Sequence, residues 1–168
     1  SCDKFLDIRP TGRVIAETGE EYRALLTTEY KNFPEDRGLV SFRSDEMTLD
    51  ASTTSSEDLS AFFDLWAWND QAPQATTVSL GWRRYYHAIY IANTLIANRY
   101  TMTQISEPDR RQLVGEAYMM RAYCHFLLAN LYAPPYTTVR PDTARAVPLM
   151  LSADVNLVPK SSSLAEVY

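Results

Sequence analysis

Cysteine, histidine and lysine are all scarce in this chain, and each shortage excludes something. Two cysteines, Cys2 and Cys124, allow at most one internal bridge, so no disulfide framework supports the fold. Two histidines, His87 and His125, each sit in an apolar-periodic segment without a Cys/His/Asp ligand pattern nearby; they read as ordinary helix histidines, not zinc ligands or a general base. Three lysines, no basic block and a net charge of −5 remove the main electrostatic term of nucleic-acid binding, so no nucleic-acid partner is expected. No stretch approaches the ~20 uninterrupted apolar residues of a membrane-spanning helix. No HExxH, Gly-x-Ser-x-Gly, phosphate-loop or dinucleotide motif occurs, so neither a cofactor nor a metal is expected. Asp45, Glu46 and Asp50 could be read as a carboxylate pair for glycoside hydrolysis. That chemistry needs two acids at a defined separation, and neighbouring acids on a polar loop are ordinarily just solvated. The expectation is a protein that is not an enzyme.

What the chain does contain is apolar and aromatic: 168 residues, 46% hydrophobic and 12% aromatic, with 13 arginines. That suffices for one domain with a sizeable core. Residues 1–18, with Pro10 and Gly12, read as an extended arm, and residues 19–168 as a helical domain. Apolar spacing predicts a helix over 20–33, opened by Thr18 as cap and stopped by Pro34. Residues 34–58 read as a polar loop, and Leu59, Phe62, Phe63 and Trp66 as a short helical stripe. The two most regular segments are 78–100 and 109–132. Each repeats apolar residues at 3.6-residue spacing, and the short link between them predicts an antiparallel pair. Ala88, Ala92, Ala117 and Ala122 would let the axes approach closely. Five prolines between 133 and 160 predict an extended tail. Ser163 with Glu166 forms the capping box of a helix beginning near the last residues, and a helix that stops there implies a piece of something longer.

Several segments together resemble a known family. They are Trp82-x-x-Tyr85-Tyr86-x-x-Ile89-x-x-Ala92-Asn93, Gly115-Glu116-Ala117-Tyr118-x-x-Arg121-Ala122-Tyr123, Ser44-Asp45-Glu46, Ala146-Val147-Pro148-Leu149 and Lys160 to Tyr168. In this order, and with Cys2-Asp3-Lys4-Phe5-Leu6-Asp7 at the start, they resemble the SusD/RagB-type outer-membrane nutrient-binding lipoproteins. Ala133, Ala146 and Lys160 depart from that pattern, where Gly, Gly and Arg are usual. The resemblance implies an all-α fold of tetratricopeptide-like antiparallel helix pairs with long irregular loops. It also implies lipidation at Cys2, anchoring at the cell surface in the outer membrane, a SusC-like TonB-dependent transporter as partner, and a glycan or peptide as ligand. One clear helix pair falls short of the ~3 repeats such arrays need, so apolar surface meant for further repeats is expected to be exposed.

Glycans present apolar C–H faces and rings of hydroxyls, which call for flat aromatics and paired hydrogen-bonding groups on loops held by a rigid frame. Two stretches offer these. Trp68, Asn69 and Asp70 stand at the loop end of the 62–71 segment, and Arg43, Asp45 and Glu46 form a second patch. Trp66 continues the apolar stripe and reads as core; Trp68 reads equally as core or as platform. Arg121 and Glu116 read as structural partners of neighbouring helices, and Trp82 with Tyr85 and Tyr86 as a packing cluster. The competing reading is a helical-repeat module that binds a peptide and has no use for Trp68.

Overall fold

The computed structural model describes residues 16–34, 36–50, 52–69, 74–77 and 82–168. Cys2, Asp70 and most of the N-terminal arm lie outside them. Among the described residues there are five α-helices: α1 (Gly19–Lys31), α2 (Ser56–Trp66), α3 (Trp82–Ala97), α4 (Glu107–Tyr132) and α5 (Leu164–Val167). A 3-10 helix spans Asp36–Arg43, and two short strands, β1 (Arg145–Pro148) and β2 (Ser161–Ser163), pair antiparallel. The architecture is therefore mostly helical, not wholly so: the proline-rich tail closes a small sheet, and part of the expected 34–58 loop is wound into the 3-10 helix.

Side-chain caps decide where the helices begin. Thr18 Oγ1 accepts the Glu21 N–H at 3.2 Å while Glu21 accepts the Thr18 N–H at 2.9 Å, a full capping box. Ser55 and Ser106 accept the N–H groups of Asp58 and Asp109 in the same way. Ser106 explains why α4 starts two residues before the predicted Asp109: Pro108 falls in the first turn, where a missing N–H is harmless. The Ser163–Glu166 capping box is formed as the sequence indicated.

The core is built by α1, α3 and α4. Trp82 at the start of α3 meets Tyr132 at the end of α4, ring centroids 4.8 Å apart, and Arg121 Nη1 lies 3.0 Å from Asn93 Oδ1. These pairings fix α3 and α4 as the expected antiparallel pair. At the other end the Gly19 N–H bonds the Thr103 carbonyl at 2.9 Å, while Phe33, just past α1, stacks on Tyr123 at 5.7 Å. Thus α1 runs alongside α4 and opposite to α3. Tyr85, Ile89, Leu95, Leu113, Cys124 and Leu128 are fully buried between them, each large aliphatic contributing roughly 1.5–3 kcal/mol by leaving water. Ala88, Ala92, Ala117 and Ala129 keep the axes close. Ala122, expected in this seam, is exposed: five residues beyond Ala117, it sits about 140° round the helix.

Glu116 behaves as expected of a structural partner, accepting Arg23 Nη1 at 2.6 Å and the Tyr30 hydroxyl at 3.0 Å from α1. Across α3 and α4, four side chains hold the tail segment 148–152. Tyr86 Oη donates to the Pro148 carbonyl at 2.8 Å. Asn93 Nδ2 donates to the carbonyls of Met150 at 3.0 Å and Ser152 at 3.1 Å. Arg121 donates to the Leu151 carbonyl at 3.4 Å, and His125 Nε2 accepts the Met150 N–H at 3.0 Å. Because Nε2 accepts, the proton of neutral His125 sits on Nδ1, which faces the Arg121 carbonyl at 2.9 Å. His125 is thus a satisfied helix histidine, as its sequence context suggested. Cys124 is fully buried, and desolvation pushes its thiol pKa up to about 12, leaving it an inert apolar group.

Candidate functional site

The two aromatic and polar patches singled out in the sequence meet in one place. The 3-10 helix packs on α2 through Phe42 and Phe62, whose rings stack 4.8 Å apart at 11°. This contact sets Arg43 and Asp45, which follow Phe42, against the C-terminal end of α2, where Trp66 and Trp68 stand. Together with Phe42, Ser44, Met47 and Thr48 they line a shallow depression of about 330 Å³. The Arg43 guanidinium carbon lies 5.1 Å from the centroid of the Trp68 ring, a cation–π contact. Glu46 is exposed beside the depression without lining it.

Neither tryptophan fills the core. Trp68 is 62% exposed and Trp66 37%, so the reading of Trp66 as a core plug is corrected. The phase of α2 explains it: Asp64 and Leu65 are the residues α2 buries. The aromatic positions Phe63 and Trp66 therefore turn outward, and the inward face carries a carboxylate.

The backbone at Trp68 is unusual. Its φ is +57°, the left-handed region that glycine ordinarily occupies past a helix end. Two hydrogen bonds hold it there: the Trp68 N–H reaches the Leu65 carbonyl at 3.4 Å, and the Asn69 N–H reaches the Asp64 carbonyl at 2.9 Å. This is the Schellman pattern with a tryptophan where glycine is usual. A bulky residue there costs roughly 1–2 kcal/mol, and such strain is characteristic of functional positions.

Asp64 is buried, 3% exposed, and its carboxylate accepts three hydrogen bonds. The Gln74 N–H reaches Oδ2 at 2.7 Å, the Thr77 hydroxyl reaches it at 2.6 Å, and Asn69 Nδ2 donates to Oδ1 at 2.9 Å. The Gln74 backbone bond, then Thr77 and Asn69, hold the carboxyl below the ordinary aspartate range, so it stays ionised. Asn69, a predicted ligand contact, thus gives its amide to Asp64. Sequence reasoning passed over Asp64; the available signal was a single acid interrupting the apolar run Phe62-Phe63-Asp64-Leu65-Trp66.

In the other aromatic cluster Tyr85 is fully buried and the Tyr86 hydroxyl is held by Pro148, as a packing cluster requires. Trp82 leans on Tyr86 with centroids 5.0 Å apart but is 39% exposed, lining a groove with Tyr86, Pro148 and Met150. No group of three or more His, Cys, Asp or Glu among the described residues is arranged to hold a metal ion. No helix among the described residues is long and apolar enough to cross a membrane.

The depression lies beside the helical frame, and comparison with known families identifies the class of protein that carries it. The chain matches, over residues 4–168, the SusD-like_3 family, described as "starch-binding associating with outer membrane". The protein belongs to that family. No curated protein matches the chain by sequence.

Proposed function

We propose that this protein binds oligosaccharides of the starch type at the outer membrane and passes them to a SusC-like TonB-dependent transporter. The observation that carries this reading is the depression where Trp68, strained and exposed, lies against Arg43 with Asp45 and Trp66 on its rim. The indoles offer faces for the C–H side of a sugar ring. Arg43 and Asp45 offer a donor and an acceptor for paired hydroxyls. Glu46, exposed beside the depression, adds a further acid within reach of a bound sugar, and Asn69 helps fix the turn that presents Trp68; Asp70, outside the described residues, is carried forward from the sequence alone as a ligand contact. Anchoring comes from acyl chains on Cys2, as the family resemblance implies, with a second membrane signal or the transporter itself giving firm attachment. The frame of α1, α3 and α4 serves as the first part of a tetratricopeptide-like stack.

The test is isothermal titration of the protein with maltoheptaose, beside the Trp68→Ala variant. Binding that Trp68→Ala weakens by about tenfold or more, some 1.4 kcal/mol, fits the proposal. Unchanged binding transfers the function to the peptide-module reading. Mass spectrometry of the native membrane protein checks the anchor: an unmodified Cys2 thiol removes it. Co-purification with a TonB-dependent transporter from that membrane tests the partner.

A further inference from the structure

The strain at Trp68 needs something to enforce it, and one residue is placed to do so. Asp64 grips Asn69 twice, its backbone carbonyl accepting the Asn69 N–H and its side chain the Asn69 Nδ2, at 2.9 Å each. Trp68 is the residue immediately before this double grip. On the far side the same carboxylate holds Gln74 and Thr77 through Oδ2. One turn earlier on the same face of α2, the hydroxyls of Ser60 and Thr76 lie 2.6 Å apart, and Thr76 also donates to the Ser60 carbonyl at 3.3 Å. Both flanks of the segment after α2 therefore close on one face of that helix, and the central fixture is a single buried anion. A carboxylate has capacity for about four acceptor interactions, and this one directs three of them at residues that follow the indole in the chain, the first of them its immediate neighbour.

We infer that Asp64 is the positioning residue of this ligand site: its carboxylate fixes Asn69, Gln74 and Thr77 and so aims the Trp68 indole beside Arg43. The inference rests on the proposed ligand reading for its functional half and on geometry alone for its structural half. Asp64 touches no ligand; it acts through the backbone it holds. An apolar residue at 64 would bury better, yet would leave only the main-chain half of the Asn69 grip and the Ser60–Thr76 contact. Asparagine would retain most of the network, because its Oδ1 can accept from Gln74 and Thr77 while the Asn69 amide turns its oxygen toward the new Nδ2.

The experiment uses the protein carrying Trp66→Phe and Trp82→Phe, so that Trp68 is the sole indole of the three. Without ligand, Asp64→Ala is expected to shift Trp68 emission, increase its quenching by acrylamide and flatten its near-UV ellipticity, while Asp64→Asn leaves all three close to the parent. In the otherwise unaltered protein, which keeps Trp66 at the depression, Asp64→Ala is expected to weaken maltoheptaose binding about as much as Trp68→Ala, by about tenfold, and Asp64→Asn by far less. A lowered melting temperature with an unchanged Trp68 signal overturns the inference, since a residue that only adds stability would do that. Should Asp64→Ala fail to fold, Thr77→Val removes one of the three bonds and reads the same indole signal with the same two outcomes. If the unaltered protein binds no maltoheptaose, the ligand reading fails, and the ligand-free indole signal still decides whether Asp64 positions Trp68.

Discussion

Replacing Trp68 by glycine and by alanine should give an order of stability opposite to that found inside helices. At φ +57° a Cβ meets the neighbouring backbone, at roughly 1–2 kcal/mol for an L-residue, and glycine escapes this. Glycine loses part of the advantage to its freer unfolded chain, about 0.4–1 kcal/mol. Both variants forfeit the Arg43 contact, about 0.5–1 kcal/mol at an exposed site, so that loss cancels between them. Trp68→Gly should therefore be more stable than Trp68→Ala by about 0.5–1 kcal/mol, whereas in a helix interior glycine is the worse residue by about 1 kcal/mol. For a folding unit of 168 residues this separates the melting temperatures by about 1–4 °C, which thermal circular dichroism resolves. Maltoheptaose binding should be weakened equally in both, by about tenfold. If alanine proves as stable as glycine, the left-handed turn does not exist in solution, and the account of a strained, deliberately presented indole collapses with it.

Two further outcomes follow from the frame. A Cβ on Gly19 would lie 2.6 Å from Ile105 Cβ, and so Gly19→Ala should destabilise by about 1–3 kcal/mol in urea unfolding despite alanine's better helix propensity; Ile105→Ala in the same chain should restore part of it. Burial lowers the pKa of His125 below its ordinary value, opposed by the Arg121 carbonyl bond and aided by the Arg121 charge. The fold thus prefers the neutral ring. The contribution of His125 is complete above the unfolded pKa of about 6.5 and fades as pH falls through the lower folded value. Urea-derived stability should decline from pH 7 toward pH 5, and His125→Gln should flatten that decline; an identical slope in the variant would show that another group titrates.

Helix positions and the α3–α4 pairing were readable because both rest on periodic burial and local caps, which a single chain carries openly. The Thr18 and Ser163 capping boxes need only three-residue spacing to be seen. The tail was harder: the four groups holding 148–152 lie between 25 and 62 residues from their partners, and hydrogen bonds to backbone leave no complementary side chain to notice. At the site, the residue types were legible, and their convergence was not. Arg43 reaches Trp68 only because Phe42 stacks on Phe62, a contact between two segments of no shared pattern. The outward turn of Trp66 was misjudged because α2 buries Asp64, and a helix that buries a carboxylate inverts the usual inference from hydrophobic spacing. Ala122 failed for a simpler reason, a phase error of five residues along α4.

The fastening of segment 148–152 has a consequence for how this part of the chain can vary. Tyr86, Asn93, Arg121 and His125 all engage main-chain atoms there, so the identities of Met150, Leu151 and Ser152 are nearly irrelevant to the grip. Substitution can therefore redecorate the exposed Leu151 and Ser152 freely, while Met150 must still pack on the core and the demand for specific polar chemistry falls on four positions of two helices far away in sequence.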